Sequence, residues 1–187
     1  IYGYDKIEGK PLSTFTIGET SELVRFIVKV REILVGLGYQ EVMSPILSNK
    51  NLLYNKMSIS DLGTIEIEEF MSETYSAVRS WILPNLIDML SKNKHVSFPQ
   101  KIFEEGLVNV RKGSDIFEYS RIAIASSHET ANYTEARQAL DRIFSCFGLK
   151  YEIEEAEHGS FISGRAARAI VNGRKVAYFG EISPQVL

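Results

Sequence analysis

The chain has little of what small folds use as staples. Its 187 residues include one cysteine, Cys146, so no internal disulfide can form, which is compatible with a reducing cytosol. Cys146, near the end of an expected helix, reads as a small buried hydrophobe. The three histidines, His95, His128 and His158, are never closer than 30 positions (128 to 158) and have no ligand spacing with Cys146. Metal motifs need far shorter spacings, so these read as surface or loop histidines and no metal site is expected. No apolar run approaches the about 18 residues of a membrane span, and no signal peptide is visible. Neither sign of charge dominates: 21 Lys and Arg face 24 Asp and Glu, for a net charge of −3. That excludes a global pull toward nucleic acid or anionic lipid and leaves only local basic surface. No glycine-rich phosphate loop of the Walker or dinucleotide type is present; GRAARAI, 164–170, has a single glycine followed by basic residues.

What is there suits one domain with its own core: 44% hydrophobic and 24% charged residues over a length sufficient for burial without disulfides or metals. The sequence opens on Ile1 and closes on Pro184-Gln185-Val186-Leu187, and reads as a piece of a longer polypeptide. Residues 1–12, with Gly3, Gly9 and Pro11, are expected to be a connector, and 13–187 the folded module.

The periodicity predicts a helix from about Thr16 to Gly36. Thr16 and Glu19 have capping-box spacing, and Leu23, Phe26, Ile27, Val30 and Leu34 recur on one face. A short strand is expected at 39–43, with Pro45 ending or edging it, and another at TIEIE, 64–68, where Ile65 and Ile67 alternate with acids. The stretch 72–93 has helical periodicity interrupted by Pro84, so a helix should start or bend there. KIFEEGLVNV (101–110), RKGSD and FEYSRIAIASSH (117–128) predict a long antiparallel hairpin. Asn132 and Glu135 again have cap spacing, before a helix to about Phe147. LKYEIEEA is a strand, and ARAIVNGRKVAYFGEI a second hairpin turning at Asn172-Gly173. Antiparallel strands with helices laid on one face make an α+β domain.

Glu104 and Glu105 are the first candidates for chemistry. Neighbouring strand residues point to opposite faces, so the two cannot serve one site as an acid/base pair. One is expected toward the core or a covering helix and the other toward water, in structural roles. HETANYTE, 128–135, offers an anion site at a helix start, although capping accounts for the same residues. Lys92, Lys94, Arg111 and Lys112 could form a phosphate-contacting rim or a solvated surface. The stripe of the first helix is long enough for a subunit interface as well as a core.

Several blocks in order resemble the β subunit of phenylalanyl-tRNA synthetase of the archaeal and eukaryotic type. They are IYGYDKI (1–7), GLGYQEVMSPILSN (36–49), SETYSAVRSWILPNLIDMLSKN (72–93), PQKIFEEGLV (99–108) and FISGRAARAIVNGRKVAYFGEISPQVL (161–187). The third is similar to Arg-x-x-Leu-Leu-Pro-x-Leu-Leu, the fourth to Pro-x-x-Leu-Phe-Glu-x-Gly-x-Val, and the last to Gly-Arg-x-Ala followed by a hairpin. Two positions depart: Glu69-Phe70 stands where the pattern has Asn-Pro, and Ser183 where it has His.

The resemblance implies a class II aminoacyl-tRNA synthetase-like antiparallel sheet flanked by helices, in the non-catalytic relative of the α subunit's active module. It implies a cytoplasmic (αβ)₂ assembly with the α subunit, with Leu23, Phe26, Ile27, Val30 and Leu34 at the subunit interface. It also implies tRNA(Phe) as substrate of the holoenzyme, with possible contacts at Lys92, Lys94, Arg111 and Lys112. ATP and Mg2+ serve the holoenzyme, and no catalytic, cofactor-binding or metal residue is expected in this piece; the family's magnesium-binding acids and editing site lie upstream. An active class II module carries Phe-Arg-x-Glu in its hairpin. Here VNVRKGSD has Arg111, but Val110 replaces the phenylalanine and Gly113 the glutamate, and Arg111 falls five positions after Gly106, one more than in active relatives. The alternatives are a self-sufficient class II-like ligase with ATP contacts centred on Arg111 and Arg121, and a nucleic-acid-binding module using the four basic residues.

Overall fold

The computed structural model describes residues 3–70 and 72–187. Ile1 and Tyr2, the start of the expected connector and of its IYGYDKI block, lie outside the described residues. The elements run α1 (Glu22–Gly36), β1 (Gln40–Glu41), β2 (Leu47–Ser48), β3 (Ile65–Glu66), β4 (Ala77–Val78), α2 (Leu83–Lys92), β5 (Gln100–Lys112), β6 (Asp115–Ser127), α3 (Tyr133–Cys146), β7 (Glu152–Glu155), β8 (Phe161–Val171) and β9 (Arg174–Ile182).

The long hairpin β5–β6 is the spine. Its register is unbroken from Gln100↔Ser127 to Lys112↔Asp115, and Gly113 at φ +64° makes the tight turn. β1 adds to its edge in parallel, Gln40↔Ile102, the one parallel pairing among the described strands. β7, β8 and β9 form a second antiparallel sheet, with Asn172 and Gly173 both at positive φ in the β8–β9 turn as expected. A third, small sheet orders β2-β4-β3.

Helices cover both faces of the hairpin, which corrects the one-face expectation. On one face Val30 and Leu34 of α1 and Ala139 and Ile143 of α3 pack with Tyr39 and Phe103, against Ile122 and Ile124. On the other, Ile82 and Leu86 of α2 meet Ile102 and Val108, with Tyr119, Ala123 and Ala125. The physical reason is that β5 is apolar at both parities, so each face needs cover. α3 also lies under the second sheet, against Ala167, Ala169 and Phe179.

Two helix expectations change. α1 starts at Glu22, where the Ser21 hydroxyl accepts the Val24 N–H at 3.3 Å. Residues 7–20 form no helix or strand and are exposed throughout, so Thr16 and Glu19 close no capping box; Glu19 pairs with Arg25 at 3.1 Å instead. With nothing to pack against, that segment gains no helical stabilisation from burial. α2 starts at Pro84's turn, as Pro requires of a helix N-terminus. The residues before it are not helical: Glu73–Tyr75 is one 3-10 turn and Ala77–Val78 the central strand of the small sheet.

Candidate functional site

Glu104 sits on the α2 face of β5 and is 1% exposed. A buried carboxylate needs a cation and hydrogen-bond donors; two chain segments supply them and a third holds the donors in place. Arg79, just before α2, donates from Nη1 to Glu104 Oε1 at 2.5 Å. Ser44, beyond β1, donates its backbone N–H to Oε1 at 3.2 Å and its hydroxyl to Oε2 at 2.6 Å. Asn85, in the first turn of α2, donates to Ser44 Oγ at 3.0 Å and to the Pro45 carbonyl at 3.2 Å. Arg79 is itself fixed on β5 by its Nε, which donates to the Leu107 carbonyl at 2.9 Å. Its backbone bridges too, taking Ile46 O and offering its own carbonyl to the Asn109 N–H. Both Glu104 oxygens are thus committed to an internal knot joining β1, β4, α2 and β5.

Glu105 faces the opposite way, as strand parity dictates. It accepts from Arg31 Nη2 of α1 at 3.0 Å and from the Ser120 hydroxyl at 2.8 Å. Arg31 also reaches Glu41 at 2.7 Å. The expectation that one glutamate faces water is corrected: α1 covers Glu105, whose side chain is 13% exposed.

Arg111 is exposed near the hairpin tip, with its backbone N–H on the Gly63 carbonyl at 2.8 Å. Arg121 pairs across with Gly106 and lies over Tyr119 at 4.6 Å. By alternation Arg121 belongs to the α2 face and Arg111 to the other. The two do not converge on one nucleotide.

The basic residues divide as well. Lys92 ends α2 and Lys94 follows it, where Gln100 Nε2 meets the Asn93 carbonyl at the base of the hairpin. Arg111 and Lys112 stand at its tip, roughly 35 Å away at about 3.3 Å per residue. Lys92 is tied to Asp88 at 2.6 Å, which raises its pKa. Lys112 lies over Phe117 and Tyr119, at 5.4 and 5.8 Å. The structure does not bring the four together.

The expected interface stripe also splits. Val30 (2% exposed) and Leu34 (0%) are consumed by the chain's own core and cannot face another subunit, because they point at Phe103 of the sheet. Leu23 and Phe26 remain 56% and 44% exposed, and Ile27 is half-buried. Leu12, Phe15 and Ile17 of the preceding segment are more exposed still.

Among the described residues no group of His, Cys, Asp and Glu could hold a metal ion. His95 is exposed, whereas His128 bonds Glu135 through Nε2 at 2.6 Å and His158 lies among aromatic rings. Burial pushes the Glu135 carboxyl up, but Lys101, at 2.6 Å, and His128 outweigh it and hold it below its usual value. Cys146 is half-buried. The α3 N-terminus is occupied: Asn132 Oδ1 accepts the Glu135 N–H at 3.1 Å, and Glu181 of β9 accepts the Tyr133 N–H at 3.0 Å. The chain's own carboxylate stands where an external anion would.

Sequence reasoning found Glu104 but missed Arg79, Ser44 and Asn85. One signal was available. Arg79 is the only Lys or Arg between Lys56 and Lys92, and it is embedded in the apolar run around Val78 and Trp81. A glutamate in an apolar strand needs such a partner.

The family model described as phenylalanyl tRNA synthetase beta chain CLM domain matches residues 9–187. The phenylalanine–tRNA ligase beta subunit of Thermococcus sibiricus is 40% identical over 189 residues, covering 100% of this chain and 34% of that protein. That of Pyrococcus abyssi is 40% identical over 190 residues, with the same coverage. The chain therefore spans about a third of the length of the curated relatives it matches. Among solved structures, a pyrrolysyl-tRNA synthetase of Desulfitobacterium hafniense superposes with a TM-score of 0.67 over 84% of this chain and 55% of that one, at 15% identity. That likeness shows the α+β fold of a class II synthetase. No helix among the described residues is long and apolar enough to cross a membrane.

Proposed function

Because this chain belongs to the family of the phenylalanyl tRNA synthetase beta chain CLM domain, we propose that it is the non-catalytic assembly module of a phenylalanine–tRNA ligase beta subunit. Residues 13–187 form the module and 1–12 lead into it. It positions an α subunit in a cytoplasmic (αβ)₂ enzyme that joins phenylalanine to tRNA(Phe) with ATP and Mg2+. Both nucleotide and metal are handled elsewhere in that enzyme.

The observation that carries the non-catalytic reading is the commitment of Glu104. Its two oxygens are spent on Arg79 and Ser44 inside the fold, so it is neither a base nor a ligand for substrate. The separation of Arg111 from Arg121 by strand parity weighs against a self-sufficient ligase, since an α-phosphate needs cations that converge. Assembly is supported by apolar exposure. Leu23 and Phe26, with Leu12, Phe15 and Ile17 before them, leave a run of large side chains open to solvent. The interface is accordingly assigned to Leu23, Phe26 and Ile27, without Val30 and Leu34.

Isothermal titration of the purified chain with Mg–ATP, then with the α subunit, tests this function. The expected result is no heat from nucleotide and a saturable heat from the α subunit. Stoichiometric ATP binding would move the ligase reading to the front.

A further inference from the structure

Between the base of the β5–β6 hairpin and the start of α3 lies a cleft of about 350 Å³, lined by Phe98, Pro99, Lys101, His128, Glu129 and Thr130. A chain of three polar contacts runs into it. Lys101 Nζ meets Glu135 Oε1 at 2.6 Å, and the other Glu135 oxygen is 2.6 Å from His128 Nε2. His128 Nδ1 is in turn 3.2 Å from the Thr130 hydroxyl. The His128 and Glu135 side chains are 19% and 20% exposed, whereas Thr130 is open to solvent. The loop that carries them is fixed by its own backbone. Ala131 N–H donates to the His128 carbonyl at 3.2 Å, and Asn132 Nδ2 to the Thr130 carbonyl at 3.0 Å.

The direction of each hydrogen bond follows from the charge on Glu135. Against the upward push of burial, Lys101 and His128 hold its carboxyl below the usual value, so it is ionised and only accepts. The neutral His128 ring must then carry its proton on Nε2, which leaves the Nδ1 lone pair to accept from Thr130. A hydroxyl that donates to an imidazole, itself oriented by a carboxylate, is the arrangement that activates an oxygen nucleophile. The rest of the lining suits an acyl group. Phe98, 59% exposed, and Pro99 form an apolar wall. The Lys101 ammonium has hydrogens beyond the one on Glu135 for a developing oxyanion.

We propose that Thr130 is an acyl-accepting nucleophile with His128 as its base, positioned by Glu135, and that it takes activated esters of small apolar carboxylic acids. Thr130 Oγ bonds to the acyl carbon as its proton passes to His128 Nδ1. The ester C–O bond then breaks, and the leaving oxygen takes that proton, giving a free alcohol and an acyl ester on Thr130. This chemistry is separate from ligation, so it goes beyond the proposed function and does not rest on it. It also gives a role to His128 and Thr130 of HETANYTE, which helix capping leaves unexplained.

The test treats the full-length subunit with p-nitrophenyl acetate, as wild type, Thr130→Ala and His128→Ala. Absorbance follows release of p-nitrophenolate, and peptide mass spectrometry locates the acetyl group. Wild type should give a burst stoichiometric with protein and carry the acetyl group on Thr130. Thr130→Ala should give no burst, and His128→Ala should slow it about a hundredfold, the scale of general-base catalysis. Ring-nitrogen NMR of the wild type, which reads the positioning by Glu135, should place the His128 proton on Nε2. The proposal is overturned by no burst in wild type, a burst that survives in Thr130→Ala, or acetyl on Lys101 in place of Thr130. A His128→Ala rate equal to wild type, or a ring proton on Nδ1, overturns it as well. Thr130 is exposed, so Thr130→Ala decides the matter even where His128→Ala fails to fold.

Discussion

Gly106 and Arg79 stand in a strict size relationship: a Cβ on residue 106 would fall 2.2 Å from Arg79 Nη2. The guanidinium occupies the space a side chain would take, so the glycine after Glu104-Glu105 is part of the same knot as Glu104. Arginine side chains usually yield, but this one is pinned at Nε by the Leu107 carbonyl and at Nη1 by Glu104. Gly106→Ala should therefore destabilise the fold by about 1–3 kcal/mol, the usual cost of overpacking. Urea unfolding followed by circular dichroism measures it, and a loss under half a kcal/mol would mean that the knot is loose.

The Arg79–Glu104 pair should behave as one unit. Removing either partner leaves a buried charge uncompensated, at about 3–5 kcal/mol. Replacing both with apolar residues, Arg79→Met with Glu104→Leu, should cost less than the sum of the single changes by about 2 kcal/mol. Strict additivity in the double-mutant cycle would show that the two do not interact.

Asn132→Ala should lower stability by about 1 kcal/mol through loss of the α3 cap. Asn132→Asp, which can accept the same N–H, should lose little. Equal losses would put the effect elsewhere.

Stability should also depend on His158. Burial first, and the charge of Arg168 second, hold its pKa below the usual 6.5. The folded chain then binds this proton less readily than the unfolded chain, so stability increases with pH through the window below 6.5. It is fully present above that value and falls as acid drives protonation. Histidine ring NMR should show His158 titrating below 6.5; titration above 6.5 would contradict the burial argument.

Much of the fold was legible because it is written locally. Asn172-Gly173 needs positive φ and received it, the β5–β6 alternation gave the hairpin, and Asn132 with Glu135 marked the start of α3. The failures share a cause: tertiary context decided them. Thr16 and Glu19 have perfect cap spacing, but the residues around them bury nothing, so the helix waits until Ser21. Residues 77–78 look helical in periodicity, yet strands β2 and β3 on either side claim their backbone hydrogen bonds. The α1 stripe was read correctly as a face, but the line between core and exposed apolar surface falls within it, after Ile27. No spacing rule could draw that line, because it depends on where the hairpin ends. Glu104 was legible as structural from parity alone, while its partners came from segments 25 and 60 positions away.

The most direct test of a structural Glu104 is to compare kcat for aminoacylation with the unfolding midpoint in the assembled enzyme carrying Glu104→Gln. If Glu104 only fastens Arg79 and Ser44 to β5, the midpoint drops by several degrees while kcat, measured well below it, stays within about twofold of wild type. A kcat that falls by orders of magnitude with the midpoint unchanged would contradict this and return Glu104 to the chemistry.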